Sequence, residues 1–235
     1  MNKKIIKNQE FENFSKIANE WWKPNGEFKI LHEIAPIRLK YILSNLPKKH
    51  VKDLSILDLG CGGGLICEPL AKLKAKVTGI DFIRENIEVA KFHAQKTGLK
   101  INYINADLSN LELKKKYDLI LMLEIIEHLD DWDKIITSIK RNLNKNGILI
   151  ISSINRTLLA KFFAIFLAEE VLNWVPKKTH NYNKLVKPDE LKKHLIKNKF
   201  LIENITGMNF NPISRQWELN KKKFPINYFC TAKLI

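Results

Sequence analysis

The stretch Ser55-Ile-Leu-Asp-Leu-Gly-Cys-Gly-Gly-Gly-Leu65 decides the fold of this chain. A short apolar run leads into a segment rich in glycine, and a helix-like segment follows it. That order predicts a buried strand, a tight turn and the start of a helix. Glycine adopts backbone angles that other residues avoid and places no side chain between the turn and a ligand. We therefore expect the turn and the free N–H groups of the helix start to bind a polar ligand.

The spacing of the glycines separates the motifs that use such a turn. A dinucleotide fingerprint, Gly-x-Gly-x-x-Gly, fails because its sixth position counted from Gly60 is Leu65. A P-loop fails because no Gly-Lys-Ser/Thr is present. The pattern that remains, Asp58-x-Gly60-x-Gly62-x-Gly64, resembles the first motif of the class I S-adenosylmethionine (SAM) methyltransferases. The alternative is an ordinary glycine-rich turn.

A second predicted strand supports the nucleotide-binding interpretation. Lys76-Val-Thr-Gly-Ile-Asp81 is a short apolar run that ends in a carboxylate. An acid at this point of a βαβ unit can accept hydrogen bonds from both ribose hydroxyls of a nucleoside. Strand, glycine turn, helix, strand and acid together predict a mononucleotide-binding unit whose ligand contacts include Gly60, Gly62, Gly64 and Asp81.

The rest of the chain continues the alternation of strands and helices. Tyr117–Leu123 is almost continuously apolar, as expected for a parallel strand covered on both faces. Residues 200–206 and 227–232 predict an antiparallel pair at the sheet edge. We predict an α/β fold with a doubly wound, mostly parallel seven-stranded sheet. It is expected to form one domain over residues 1–235, with an N-terminal helical cap (1–45) and an insert after the fifth strand (155–187).

Charge and composition limit the partners. The chain of 235 residues has a net charge of +15 and 45% hydrophobic residues. Only 5 of its 40 basic residues are arginine, the residue that best reads phosphates and bases, and the lysines are spread along the chain. We therefore expect no nucleic-acid partner, and either a solvated lysine-rich surface or contact with an anionic membrane. The three cysteines form no C-x-x-C motif, which indicates reduced thiols in a cytoplasmic protein.

Two segments outside the core pattern are rich in apolar residues. Trp21-Trp22 precedes a Pro-Asn-Gly turn and could cover a flat ligand or simply pack against the domain. Residues 158–168 are strongly apolar but too short to span a bilayer. They could lie on a membrane surface, cover a lipophilic ligand or form a buried helix. A peripheral location on the inner face of the membrane is therefore one expectation.

A narrower resemblance covers nearly the whole chain. It begins with Ala18-x-x-Trp-Trp-x-x-x-Gly-Glu-Phe-x-x-Leu-His-x-Ile-x-Pro-x-Arg-Leu39 and continues through both strand motifs and Glu124-x-x-Glu-His128. It ends in Val175-Pro-Lys-x-Thr-His180 and Thr206-Gly-x-x-x-Asn-Pro212. These segments resemble the UbiG family, the O-methyltransferases of ubiquinone biosynthesis.

The resemblance implies a substrate and a set of cofactor contacts. The substrates would be a polyprenylated catechol and 3-demethylubiquinol, whose ring hydroxyls would receive a methyl group from SAM. Other ubiquinone-biosynthesis proteins would be candidate partners. Arg38 would pair with the SAM carboxylate, Asp107 would lie near the adenine, and Leu123 would flank the site with its backbone. His180 is a weaker candidate for the base.

Glu124-Ile-Ile-Glu-His128 is the candidate segment for catalysis and metal binding. It follows the fourth strand, and ligands bind at the carboxyl edge of such sheets. Two carboxylates and an imidazole could hold a divalent cation, and oxygen ligands favour Mg²⁺. The resemblance implies a Mg²⁺ requirement and points to Glu124, Glu127 and His128 as its ligands. Taken alone, Glu127 could instead be a helix-start acid, and His128 a metal-free general base or a core histidine. Glu127 and His128 are the catalytic candidates.

Two other functions remain open from the sequence. The chain could be a SAM-dependent methyltransferase that acts on another small molecule. It could also be a non-catalytic SAM-fold protein that organises other enzymes at the membrane. The intact glycine motif and Asp81 favour an enzyme, since a scaffold has no need of a complete cofactor site.

Overall fold

The computed structural model describes residues 15, 17–47, 49–161, 182–211, 213–223 and 225–235. These residues contain an eight-stranded sheet of order β3-β2-β1-β4-β5-β8-β6-β7. The strands are β1 (Ser55–Leu59), β2 (Lys76–Asp81), β3 (Asn102–Asn105), β4 (Tyr117–Leu123), β5 (Leu143–Ile154), β6 (Phe200–Asn211), β7 (Gln216–Asn220) and β8 (Asn227–Leu234). The helices are α1 (Lys29–Ser44), α2 (Cys67–Lys72), α3 (Arg84–Lys96), α4 (Trp132–Ile139), α5 (Leu158–Ala160) and α6 (Pro188–Lys197).

The strand order confirms the predicted doubly wound class. The five strands from β3 to β5 are parallel, and β8 pairs antiparallel with both β5 and β6. The carboxyl ends of β1, β2 and β4 therefore lie along one edge, where ligands bind in such sheets. The glycine turn, Asp81 and Glu124 follow these three strands and share that edge.

The sheet has eight strands rather than the predicted seven. The predicted sixth strand continues beyond Thr206 to Asn211, turns, and returns as β7 (Gln216–Asn220) along its outer side. The outer edge of the sheet is therefore β7, while β8 lies between β5 and β6. The reason is packing: Trp217 and Leu219 alternate along β7 and both pack on the core that α1 covers.

Both faces of the sheet are buried, which explains the apolar runs of the central strands. Along β4, Leu119 and Leu121 face the core that includes residues of α1, α2 and α3. Ile120 and Met122 face the opposite core, which includes residues of α4 and α6. Alternate side chains of a strand point to opposite faces, so a strand that is covered on both sides is apolar on both faces.

The predicted insert lies largely outside the described residues. Its first part ends with α5, and a short 3₁₀ helix, Tyr182–Lys184, marks where the description resumes. His180 and most of the apolar segment 158–168 lie outside the described residues, and so do residues 1–14 of the predicted cap. Within the described parts of the chain, no helix combines the length and apolar character needed to cross a bilayer.

The cap helix α1 is joined to the sheet by a buried hydrogen bond that can be tested. The Tyr41 hydroxyl and Thr231 Oγ1 lie 2.8 Å apart, and Tyr41 stacks on Phe229 with ring centroids 4.3 Å apart. We expect Tyr41→Phe to lower the free energy of unfolding by about 1–3 kcal/mol, because Thr231 then loses its buried partner. Urea unfolding of Tyr41→Phe, Thr231→Val and the double variant measures this. The double variant should recover part of the loss, and strictly additive losses would contradict the coupling.

Candidate active site

The glycine turn has the backbone conformation that its sequence predicts. Gly60, Gly62 and Gly64 have φ values of +75°, +53° and +89°, a region that favours glycine. The N–H groups of Gly60 and Cys61 donate to the Ile80 carbonyl at 2.8 and 3.0 Å. These bonds fix the end of β1 against the end of β2. The structure therefore brings the turn and the second-strand acid to the same place.

Asp81 is the point where the turn meets the second strand. Its carboxylate accepts hydrogen bonds from the backbone N–H groups of Gly62 and Ile83, both at 2.9 Å, and from Asn86 Nδ2 at 3.3 Å. The residue is 7% exposed, and burial raises the pKa of its carboxyl despite these donors. Asn86 was not among the sequence candidates. Its only signal was its position in the first turn of the helix after Asp81.

Two other predicted cofactor residues occupy different environments. Leu123 is the last residue of β4 and is 8% exposed, so its backbone lies at the carboxyl edge. Asp107 is exposed, and its side chain accepts from the N–H of Ser109 at 2.9 Å, which caps a short 3₁₀ helix. The structure thus gives Asp107 a capping role, and its predicted place near the adenine is an untested expectation.

The two tryptophans pack on the glycine turn. The ring of Trp21 lies where a Cβ on Gly62 or Gly63 would stand, only 2.4 Å from its nearest ring atom. Its Nε1 donates to Asn86 Oδ1 at 2.7 Å, while Trp22 Nε1 donates to the Gly63 carbonyl at 3.0 Å. Both indole N–H groups are therefore satisfied within the protein. The described arrangement is the packing alternative: the pair anchors the N-terminal segment to the cofactor turn.

Arg38 is a buried cation among carboxylates. It comes from α1, is 6% exposed, and its Nη2 lies 3.6 Å from Glu124 Oε1, an ion-pair distance longer than a hydrogen bond. Glu127 and Asp58 also act on it electrostatically, although burial is the larger effect and lowers the pKa of the guanidinium. Its Nε and Nη2 are buried and have no hydrogen-bond partner among the residues that the structure describes. Buried donors of this kind are normally satisfied, so this guanidinium has capacity for an anionic ligand.

Glu124 joins three elements immediately after β4. Its φ of +52° lies in a region where residues other than glycine are uncommon. One carboxylate oxygen accepts from Ser152 Oγ at 2.8 Å, and the other from Asn227 Nδ2 at 3.1 Å. Ser152 and Asn227 were missed from the sequence. Ser152 lies near the carboxyl end of a predicted parallel strand, which was an available signal. Asn227 begins a strand that the sequence predicted only as one of an antiparallel pair at the sheet edge.

Glu127 is a buried carboxyl poised to exchange a proton near neutral pH. It lies in the 3₁₀ helix Ile126–His128, is 3% exposed, and accepts from Ser153 Oγ at 3.0 Å. Burial, with the nearby charge of Glu124, raises its pKa to about 7, while the charge of His128 opposes the rise. His128 is half-buried at the end of the same turn. The structure therefore places the two predicted catalytic residues side by side.

The three predicted metal ligands are not assembled into one cluster. Within the ranges that the structure describes, no group of three His, Cys, Asp or Glu side chains is placed to hold a metal ion. The reason is that Glu124 is held by Ser152 and Asn227, and Glu127 by Ser153. The donor chemistry nevertheless suits a hard cation, because two carboxylates lie close enough for one to raise the pKa of the other.

Comparisons with known proteins place the fold. The family model described as a methyltransferase domain matches residues 50–221. The crystal structure of magnesium protoporphyrin IX methyltransferase from Synechocystis PCC 6803 with bound SAH is similar over 100% of both chains, with 19% identity and a TM-score of 0.71. A SAM-dependent methyltransferase from Thermotoga maritima matches with 18% identity and a TM-score of 0.70, over 96% of this chain and 99% of its own. The fold and the glycine turn define a class I SAM-dependent methyltransferase.

Relatives with curated names identify the family within this class. A ubiquinone biosynthesis O-methyltransferase from Pelagibacter ubique is 46% identical over 231 residues, which cover 95% of this chain and 96% of the relative. One from Rickettsia prowazekii is 44% identical over 231 residues, covering 97% and 91%. The chain belongs to the family of ubiquinone biosynthesis O-methyltransferases, and it is a SAM-dependent O-methyltransferase.

The buried Asp58 should leave a pH signature in stability. Burial raises the pKa of its carboxyl to about 7, although Cys67 Sγ donates to it at 3.2 Å. An unfolded aspartate titrates near 3.9, so the folded protein holds the proton more tightly, and the unfolding free energy falls as pH rises between about 4 and 7. Asp58→Asn removes this titration. The stability of the variant relative to wild type should increase by roughly 2 kcal/mol from pH 5 to pH 8. Urea unfolding at several pH values tests this, and parallel curves would contradict it.

Proposed function

We propose that this protein transfers the methyl group of SAM to ring hydroxyls of a polyprenylated catechol and of 3-demethylubiquinol. The observation that carries the proposal is the position of Glu127 and His128 at the carboxyl edge of β4, beside the buried Arg38 and the glycine turn. The names of the relatives support the ubiquinone pathway, which requires phenolic acceptors. Residues 1–235 are proposed to act as one catalytic domain.

We assign the cofactor contacts from the buried guanidinium of Arg38 and from the residues in and around the glycine turn. Arg38 would bind the SAM carboxylate, because its Nε and Nη2 make no hydrogen bond within the described residues and a guanidinium fork suits a carboxylate. Gly60, Gly62 and Gly64 would receive the methionine part, and Asp81 the ribose. Leu123 would border the site, and Asp107 would lie near the adenine. The carboxylates around Arg38 give this edge a negative potential that suits a cationic sulfonium.

The chemistry needs a base and a site that excludes water. Methyl transfer from a sulfonium is an in-line displacement, so the acceptor oxygen, methyl group and sulfur must be nearly collinear. A phenol titrates near about 10 and is mostly neutral at pH 7, so its proton must be removed. Glu127, with its pKa of about 7, can accept a proton in this range, and the adjacent His128 is the second candidate. The burial of Glu127 indicates a dry environment for the transfer.

Mg²⁺ is part of the proposal, with Glu124, Glu127 and His128 as its ligands. The support is the donor chemistry, two carboxylates beside an imidazole. A bound cation lowers the pKa of a coordinated hydroxyl, which is the chemistry the ion would supply here. In the described arrangement, Ser152, Ser153 and Asn227 bind these carboxylates, so the ion would have to share or replace these hydrogen bonds.

We further propose peripheral contact with the inner face of the membrane. The net charge of +15 favours anionic lipid, and the acceptor that we propose is itself lipophilic. The apolar segment 158–168, largely outside the described residues, was the sequence candidate for this contact. Contacts with other ubiquinone-biosynthesis proteins would share this location.

The assignment of Arg38 gives a test that separates binding from folding. We expect Arg38→Gln to weaken SAM binding roughly thirtyfold, since a charge-assisted bond to a carboxylate contributes about 2 kcal/mol. Decarboxylated SAM, which lacks that group, should bind the variant and wild type similarly. Isothermal titration calorimetry measures both ligands, and Arg84→Gln on the exposed side of α3 is the matched control. Equal losses for both ligands would contradict the assignment.

The reaction is tested by methyl transfer from labelled SAM to a short-chain prenyl catechol, with Mg²⁺ or chelator and with or without anionic liposomes. We expect turnover that depends on Mg²⁺. Glu127→Gln should lower kcat by about 10²-fold, because the proton acceptor is lost. Exposed Glu88→Gln should not change it.

Each contrary result of this assay has a separate meaning. Full activity in chelator would remove Mg²⁺ from the proposal. SAM binding without turnover on any catechol would indicate another acceptor or a scaffold.

A further inference from the structure

A groove of about 600 Å³ lies between α1 and the β6–β7 hairpin. Five of the eight residues that line it are apolar: Ile30, Pro36 and Ile37 from the helix and Phe210 and Trp217 from the hairpin; Glu33, Arg215 and Gln216 complete the lining. We call it the tail groove. We propose that the tail groove binds the isoprenoid chain of the acceptor next to its ring. This inference rests on the proposed function, because that function supplies an acceptor with a long apolar tail.

Both walls of the tail groove adjoin active-site residues along the chain. Ile37 directly precedes Arg38 on α1. On the other wall, Met208 pairs with Asn227, whose amide donates to Glu124 at 3.1 Å. Phe210 is two residues further along β6 and therefore shares the face of Met208. At about 3.3 Å per residue, it stands about 7 Å beyond Met208. Both walls therefore lie within a few residues of the groups around Glu124.

The groove and its outer end have the chemistry of an isoprenoid site. Phe210 and Trp217 are paired across the hairpin with ring centroids 5.6 Å apart, and they form an aromatic wall opposite the aliphatic residues of α1. Phe210 is 41% exposed, and Ile213 in the following turn is 94% exposed. Exposed apolar side chains at the mouth of an apolar groove stabilise an apolar ligand that extends from it.

The other large groove has a different chemistry. It has about 590 Å³, lies between α4 and α6, and its lining includes Lys134, Arg141 and Lys197. Thr137 also hydrogen-bonds there to Asn198 at 3.2 Å. The residues that line this second groove are all polar or charged, whereas five of the eight that line the tail groove are apolar, so an apolar chain would desolvate more polar groups here without replacing their hydrogen bonds. The tail groove is therefore the assignment for the acceptor chain.

Tail length provides the kinetic test. Catechols with the same ring and no, two or four isoprene units are compared as acceptors for wild type and Phe210→Ala. We expect the KM of wild type to fall as the tail grows. In Phe210→Ala, the KM of the four-unit acceptor should rise about tenfold, equivalent to ~1.4 kcal/mol of lost apolar contact, with kcat unchanged. The tail-free acceptor should be unaffected.

Two controls distinguish a binding role from a general effect. Phe92→Ala removes a 70% exposed phenyl group from α3 and should match wild type on every acceptor. Ile30→Ala changes the opposite wall and should repeat the tail-dependent rise in KM. A Phe210→Ala effect that is equal for all tail lengths, or no effect, would overturn the proposal.

A direct mapping experiment decides the groove independently of turnover. A catechol with a four-unit tail ending in a diazirine is photolysed with the full chain and SAM, and the labelled peptides are identified by mass spectrometry. Labels within residues 30–37 or 209–217 would support the tail groove. Labels confined to residues 155–187, or elsewhere, would overturn it. If wild type methylates no catechol while labels map to the groove, the proposed acceptor chemistry fails and the isoprenoid site stands.

Discussion

The burial of Arg38 against the carboxyl edge of the sheet is the constraint on which the site depends. A guanidinium removed from water is tolerated only beside negative charge, and here Glu124, Glu127 and Asp58 supply it. The cation comes from the cap helix, whereas the acids belong to β1 and to the turn after β4. Docking of α1 and completion of the site are therefore the same event. The stack of Tyr41 on Phe229 places the helix so that this pairing can form.

The same burial sets the proton chemistry of the site. Asp58 and Glu127 both have pKa values of about 7 because desolvation disfavours their charged forms. These two acids can therefore hold or release a proton near neutral pH beside the guanidinium of Arg38. Positioning by serines and Asn227, rather than exposure to water, fixes where the carboxylate oxygens point. Stability and function therefore use the same groups.

In the proposed reaction, the two ends of the sheet edge would serve different parts. At the proposed cofactor end, Trp21 and Trp22 pack on a glycine turn that itself donates to Asp81. The proposed acceptor end consists of β5, β8 and the hairpin that extends β6 beyond Met208. Glu124 joins the two, since it faces Arg38 on one side and Asn227 on the other. On the proposed assignment, the methyl group would be transferred close to Glu124.

The sequence alone determined the class of fold, the glycine turn and the alignment of Asp81 with it, because local patterns encode strands, turns and helix starts. Periodicity and glycine spacing are short-range properties, so they predict without knowledge of distant contacts. Long-range pairing was different: β7 was missed, and the partners of Glu124 came from β5 and β8. From the sequence, the tryptophan pair could either cover a ligand or pack against the domain. In the structure, their indole N–H groups donate to Asn86 and to the Gly63 carbonyl. Only tertiary structure decides such questions, because burial and partners come from segments far apart in the chain.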